Sequence, residues 1–552
     1  MAEIGKLRVL PFVANSGGLP ANETTFVKML KEFGYSTALI GKWHLGVNCR
    51  VYNDNCHHPM THGFDHFYGL PLTNLKDFGN DGASVFMSNN PRIKTGLTSA
   101  IFTLTLSAIF ISRYYTTKRP IFTCLASLLF TAVPLTLFYV FITNIKLLNS
   151  VLMLNTRVVE QPISFDDNLS QRLLDRGVNF LRKTSRFVNS SYSLGPERPF
   201  LLFFSFLQVH TVLHTAPRFS GASQHGRYGD NIHEMDWMVG HLLDALETFG
   251  LASNTFVYFT SDQGGHVEEK GLDGQREGGF NGKFKGGKGQ GGMEGGIRVP
   301  GIIRYPPLKN NTNPEISIPT SLMDLWPTIV NLAKPSVLGN NQSEVNLTII
   351  SYGNVEYFED MNEEDDIEIN KTDFPMVDGK DLWPLLTSKS STHHHQFLFH
   401  YCGTEIHAVR YMPESENRIW KIYYITPRWI EGTQGCHYIC FCYGSRNIIK
   451  HNPPLLFELI SDPFEDTCLT PHSSHHFLSP SSSSRRVNNK DKENERKTLS
   501  LEYYEVLGKV ERAIKDHKKS IVPVPSQFSA KNTIWKPWLQ PCCNPPWCHC
   551  KQ

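Results

Sequence analysis

Apolar residues recur along this chain with two alternating periods. Phe26, Met29, Leu30 and Phe33 fall at helical spacing and predict an amphipathic helix that Gly34 ends. A short apolar run follows, Thr37 to Ile40, and predicts a strand. The alternation repeats. Leu169, Leu173, Leu174, Val178 and Leu181 mark a second helix, followed by the run PFLLFFSFLQVHT. Met235, Met238, Val239, Leu242, Leu243 and Leu246 mark a third, followed by TFVYFTSDQGG. Continuous apolar strands between amphipathic helices predict an α/β fold whose mostly parallel central sheet is covered on both faces. Ligands of such sheets sit beyond the carboxyl ends of the strands.

Two stretches break the alternation. Thr95–Ile111 and Ile121–Ile142 carry no charge and run about 17 and 22 residues, the span of a bilayer helix. The turn between them holds Arg113, Lys118 and Arg119. The positive-inside rule puts that turn in the cytosol and both flanks on the lumenal side. A buried hairpin of a soluble core is the alternative, but two adjacent uncharged spans around a basic turn favour a transmembrane helical hairpin. The start, MAEIGKLRVLPF, has no apolar stretch of signal-peptide length, which conflicts with a lumenal chain and leads us to expect a missing N-terminal segment. The segment from about Val337 to Asp373, acidic between Glu356 and Asp366, and the Ser- and His-rich segment His472–Lys497 lack core-forming residues and read as loops or disorder. The organisation expected is a first part of the main domain over 1–90, the hairpin over 91–146, the main domain again over 147–390, and a smaller C-terminal α+β domain over 391–552.

Charge is balanced, 54 basic against 52 acidic residues; with no basic stripe, nucleic-acid binding is excluded. Twelve cysteines cluster in the chain, a pattern of disulfides or of a metal site. Cys542 to Cys550 fits a zinc knuckle poorly, because its adjacent Cys pair and prolines depart from C-x-x-C spacing. Sequons, among them those at Asn22, Asn168, Asn189, Asn310 and Asn346, favour a secretory compartment.

The candidate chemistry lies at the strand ends. Lys42 and His44 follow the first strand, and in extended chain they point the same way. His210 ends the second strand, and Asp262 with Gln263 the third. A glycine-dense loop, Gly271 to Gly296, adds Lys285 and Lys288. Alone, each residue has an ordinary explanation as solvated surface, hydrogen-bonding helper or turn cap. As a set at strand ends they indicate chemistry: the oxygen donors Asp262 and Gln263 suit Ca²⁺ or Mg²⁺, and lysines beside a cation suit a tetrahedral oxyanion.

The stretches GYSTALIGKWHLG, HHPMTHGFDHFYG, FSFLQVHT, HEMDWMVG, YFTSDQGGH, KGGKGQGGMEGGIRVPG and TIWKPWLQPCC resemble the type I sulfatases, in the membrane-anchored branch that contains steryl-sulfatase and its arylsulfatase relatives. The resemblance runs from about Gly17 to Cys550. It implies an alkaline-phosphatase-like α/β sandwich with a small C-terminal sheet domain, and hydrolysis of aryl or steroid sulfates in the membrane of the endoplasmic reticulum or Golgi. By that resemblance Asp262 and Gln263 are part of a Ca²⁺ ligand set. Lys42 contacts sulfate and the nucleophile, and His44 holds the nucleophile's second hydroxyl. His210 and Lys288 stand at the leaving-group side, and Trp43 packs beneath. The resemblance and the spacing together imply disulfides Cys49–Cys56, Cys436–Cys440 and Cys402–Cys442.

The family's nucleophile, a formylglycine made from the cysteine of a C-x-P-x-R motif, has no counterpart here, nor has its early strand ending in paired aspartates. Cys468 in CLTPH is a look-alike without the arginine. The expectation is therefore an N-terminally truncated and inactive form of a sulfatase, with a non-catalytic relative as the alternative. A membrane-anchored phosphatase would need a Ser or Thr nucleophile and further metal ligands that the sequence does not cluster. Three further departures from the family are Met293 in place of an aromatic, Phe78 and Ser150 in place of two cysteines, and the acidic insertion near Glu356.

Overall fold

The computed structural model describes residues 10–79, 91–115, 133, 135–165, 168–189, 199–308, 315–334, 377–387, 395–428, 442, 447–469, 489–545 and 548–550. The chain divides into two units, the first formed by Met1–Ala252, Gly271–Gln275 and Pro525–Gln552, the second by Ser253–Lys270 and Arg276–Val524.

The first unit is built on five strands, β1 (Ser36–Lys42), β2 (His66–Leu70), β3 (Leu152–Leu154), β4 (Arg157–Glu160) and β5 (Phe200–Ser205), in the order β4-β3-β2-β1-β5. The helix Phe26–Glu32 leads into β1. Thr25 caps it by accepting from Lys28 N, and Gly34 closes it at φ +86°. Both faces of β1 are covered, which is why its apolar run is continuous. On one face Ile40 packs with Tyr68, Leu173, Leu174 and Met238; on the other Leu39 packs with Val27, Phe67 and Met153. The first of these layers draws on the helices Leu169–Asn189 and Gly226–Thr248.

The sheet is mixed rather than mostly parallel. β1 runs parallel to β2 and β5, but β2–β3 and β3–β4 are antiparallel. The cause is local: β3 and β4 are joined by Asn155 and Thr156 alone, and a two-residue connection makes a hairpin. Asn155 takes the left-handed φ of +51° that this turn requires, and its side chain accepts from Phe67 N at 3.0 Å.

The second unit contains β6 (Val257–Thr260) and β7 (Gly301–Arg304), paired antiparallel with each other. The third predicted strand is thus not seen extending a parallel sheet. Strands β8 (Phe397–Cys402), β9 (Glu405–Tyr411), β10 (Trp420–Pro427) and β11 (Ile448–Glu458) form an antiparallel sheet in the order β11-β10-β9-β8. The helix Asn489–Ser520 lays Tyr503, Val506 and Val510 on Val409, Trp420, Ile422 and Leu456 of this sheet.

No described helix is long and apolar enough to cross a membrane, so the expected transmembrane hairpin is not met among the described residues. The first stretch does lie in a 25-residue helix, Pro91–Tyr115. Serines and threonines interrupt its apolar residues, and the hydroxyls of Thr103 and Thr105 donate to carbonyls one turn back, at 2.8 and 2.7 Å. Most of the second stretch, like the acidic insertion, the segment 470–488 and the pair Cys436–Cys440, lies outside the described residues.

Among the described residues, disulfides close Cys49–Cys56, Cys402–Cys442, Cys542–Cys548 and Cys543–Cys550. Two of these are the expected pairs. The last two use the sulfurs of the zinc-knuckle alternative. Phe78 is 1% exposed and stacks on Phe165 at 5.9 Å, while the Ser150 hydroxyl accepts from Ile163 N at 3.1 Å. Both positions are thereby filled by packing and hydrogen bonding. Met293 is buried with Ala408, Tyr423 and Phe457.

Candidate active site

The predicted residues fall into two sets, one in each unit, and each set is described within its own unit. In the first, three backbones converge where β1 ends. A Cβ on Gly41 would stand 1.8 Å from Ser205 O, and one on Gly69 would stand 1.7 Å from Gly41 O. Only glycine permits this approach, and Gly41 also has φ +108°. Lys42 is the last residue of β1, paired with Leu70 of β2. The chain keeps following β2 afterwards, with Trp43 N donating to Leu70 O at 2.9 Å and His44 N to Pro71 O at 3.2 Å.

The simple alternation of side chains stops there, because His44 is left-handed at φ +60° rather than extended. Such strain in a non-glycine residue concentrates at functional sites. The imidazole Nε2 of His44 lies 3.0 Å from Leu10 O. Trp43 stands between Lys42 and His44. Its indole N–H is shared between Gly46 O and His57 O, both at 2.9 Å, and its ring packs beside His62 and edge-on to Phe64. His58 and His62 are fully buried, and burial holds both near a pKa of about 4.

His210 lies five residues beyond β5, in a stretch without regular structure. Sequence patterns did not show what fixes that stretch. Buried Asn74 donates to both His210 O, at 2.7 Å, and Val212 O, at 3.1 Å. Asn231 donates to His214 O at 2.7 Å, Gln208 donates to the Ser170 hydroxyl at 2.7 Å, and the Glu234 carboxylate accepts from Ala216 N at 3.4 Å. Side chains here do the work that a ladder does elsewhere. The imidazole Nδ1 of His210 lies 2.6 Å from Thr211 O.

In the second unit, Asp262 and Gln263 lie just past β6, after Ser261. The glycine-dense loop returns beside them: a Cβ on Gly264 would stand 1.7 Å from Gly295 O, and Lys288 N donates to Gly265 O at 3.1 Å. The Lys288 ammonium is pushed below the usual lysine range by burial, against the opposing pull of Asp262 and Glu269. Asp262 and Lys288 are thus electrostatic neighbours. Lys285 is not part of this set; its ammonium donates to Glu465 O and lies 3.5 Å from the Asp466 carboxylate. A neighbouring group escaped sequence reading. His266 is 2.7 Å from Glu269 and 3.5 Å from Glu268; burial disfavours its cation, but the two carboxylates outweigh it and raise its pKa to about 9.

Asp262 and Gln263 are donors of the type calcium takes. Two residues fall short of the six to eight oxygens it uses. Among the described residues the one cluster of three metal-binding side chains is Cys49, Cys56 and His57, and its sulfurs are joined in a disulfide.

The chain belongs to the sulfatase family. The family model described as Sulfatase matches residues 5–335, and the model described as C-terminal region of aryl-sulfatase matches 393–493 and 488–552. The chain is 39% identical to steryl-sulfatase of Homo sapiens over 98% of its own length and 81% of that protein's. It is 39% identical to arylsulfatase H of Homo sapiens over 98% of its length and 84% of the relative's. Among solved structures, the PsFucS1 sulfatase from Pseudoalteromonas sp. shares its fold with a TM-score of 0.53, at 20% identity over 84% of this chain and 74% of that one.

Proposed function

We propose that this sulfatase acts on sulfate esters of apolar alcohols or phenols, of the aryl or steroid type, in a secretory-pathway membrane, the endoplasmic reticulum or Golgi. The observation that carries the reading is the likeness over 98% of the chain to proteins named steryl-sulfatase and arylsulfatase. In this reading Lys42 and Lys288 place positive charge against the sulfate oxygens. His44 and His210 exchange protons at the reacting oxygens, as imidazoles do near neutral pH. Asp262 and Gln263 would hold calcium, which when bound supplies positive charge to the sulfate. They are an incomplete ligand set.

In the sequence, the charge-free runs Thr95–Ile111 and Ile121–Ile142 and the basic stretch between them support the membrane reading. So do the exposed Phe102 and Phe110 of the helix Pro91–Tyr115, 65% and 71% accessible. The disulfides and sequons suit an oxidising lumen.

A second reading, a non-catalytic relative, is favoured by one observation: these 552 residues contain no C-x-P-x-R motif. Without a nucleophile the cationic residues bind a sulfate ester but form no covalent intermediate with it. We therefore expect binding without turnover from these residues alone. Titration calorimetry with a steroid sulfate and with the unsulfated steroid tests the site. The sulfated ligand binds more tightly, and Lys42→Met and Lys288→Met each remove that preference. Equal affinity for both ligands refutes the assignment.

A further inference from the structure

The loop that carries Lys288 is anchored at both ends. At one end Lys288 N donates to Gly265 O, and the Asn281 amide donates to Gly265 O at 3.1 Å and to Gly286 O at 2.9 Å. At the other end stands Glu294, the first residue of a short helical turn and 1% exposed. Its carboxylate accepts from Lys421 of β10, which is fully buried, and from Arg410 of β9. Lys421 also lies 3.1 Å from the Glu465 carboxylate, and the Tyr423 hydroxyl donates to Glu465 at 2.7 Å. Burial opposes ionisation of Glu294, but Lys421 and Arg410 outweigh it and hold its pKa at about 2.

The buried members, two cations and two carboxylates, balance in charge, and the half-exposed Arg298 lies 3.9 Å from the Glu294 carboxylate at their rim. The backbone between Lys288 and Glu294 lies close on the same sheet. A Cβ on Gly292 would stand 2.9 Å from the His400 Cβ of β8 and 3.1 Å from the Ala408 Cβ of β9. A buried ion cluster is weak evidence for stability, because hydrophobic replacements serve as well, but it fixes geometry.

We propose that Glu294, held by Lys421 and Arg410 of the four-stranded sheet, is a positioning residue for Lys288, so that the C-terminal sheet sets the place of the sulfate-binding lysine. The proposal rests on the reading of Lys288 as a sulfate ligand. A positioning role and a merely stabilising one predict different behaviour of two variants. Glu294→Gln leaves an uncompensated buried cation. Glu294→Gln combined with Lys421→Met restores zero net charge, through Arg410 and Glu465, but leaves the loop unclasped.

The test is acetylation of Lys288 in the full chain, followed by mass spectrometry and referenced to the surface residue Lys509 of the same molecule, with thermal stability measured in parallel. Leu456→Ala, a buried position in the same sheet outside the cluster, controls for general destabilisation. Positioning predicts that Lys288 reacts about tenfold faster or more in Glu294→Gln and in the double variant, even where the double variant regains stability, and not in Leu456→Ala. If the double variant returns Lys288 to wild-type reactivity, or if Leu456→Ala speeds it equally, the proposal is wrong. Should Glu294→Gln fail to fold, the double variant and Lys421→Met alone decide by the same criterion. Steroid-sulfate binding by the double variant separates the two claims. Faster acetylation with unchanged sulfate binding overturns the reading of Lys288 as a sulfate ligand and leaves the positioning role standing.

Discussion

Asn74 is the residue on which the placement of His210 most depends. One buried amide donates to two carbonyls of a stretch that has no strand or helix of its own, His210 O at 2.7 Å and Val212 O at 3.1 Å. Asn74→Ala removes both bonds. Each bond contributes about 1 kcal/mol net, and a buried carbonyl left without a donor costs roughly 1–3 kcal/mol. Part of that loss is recovered where water reaches the gap, so the local cost is about 2–3 kcal/mol. At 1.4 kcal/mol per tenfold, this corresponds to about 30- to 150-fold faster local opening. Hydrogen–deuterium exchange of the peptide covering Leu207–Ala216 measures it directly, with the helix Gly226–Thr248 as internal reference. The expected result is faster exchange in the His210 stretch, with the β1 and β5 amides unchanged. An Asn74→Ala protein whose exchange in that stretch stays within a factor of two would refute the view that side chains, rather than the strand β5, hold His210.

Three other outcomes follow from the geometry. Gly41→Ala places a Cβ 1.8 Å from Ser205 O at a left-handed φ; it is expected to abolish soluble expression or to lower the melting temperature steeply, whereas Gly34→Ala, at a position with open space, is expected to cost only the milder strain of its positive φ. His58 and His62 have pKa values lowered from 6.5 to about 4, so the unfolded chain takes up protons first as the pH falls. Their stabilising effect is full above about pH 6.5, shrinks below it and is gone below about 4. It amounts to about 3 kcal/mol for His58, and His58→Phe should flatten the acid limb of a pH–stability curve. Asn22, in an exposed turn, is expected to carry a glycan when the chain passes through a secretory pathway. Asn22→Gln should then remove one glycan mass, and an unchanged mass in an otherwise glycosylated chain would show the sequon to be unused.

What the sequence disclosed was what local pattern carries. The helix before β1, the strands β1, β5 and β6, and the helices around Leu173 and Met238 follow from periodicity and stand where it puts them. Lys42, His210 and Asp262 were marked by their place after apolar runs, and Lys288 by its glycine-dense loop. The mixed sheet was missed because β3 and β4 are only three and four residues long, too short for a period to show, and their turn rests on one asparagine. The left-handed His44 was missed because alternation assumes extended chain. Asn74 and Glu294 were missed because their partners lie 136 and 127 residues away, a distance over which no sequence pattern reports. Lys285 was included with Lys288 because both stand in one loop; the Glu465 carbonyl and Asp466 carboxylate that hold it are likewise remote in sequence.

The central claim is that Lys42, His44, His210 and Lys288 serve sulfate-ester hydrolysis once a nucleophile is present. The most direct measurement is release of inorganic sulfate from an aryl sulfate. It compares these 552 residues with a chain that additionally carries a C-x-P-S-R segment and is produced where that cysteine is converted to formylglycine. The account predicts no release from the former, release from the latter, and loss of that release in Lys42→Met and His210→Ala. Sulfate release by the 552 residues alone, or release that survives both substitutions, would contradict it.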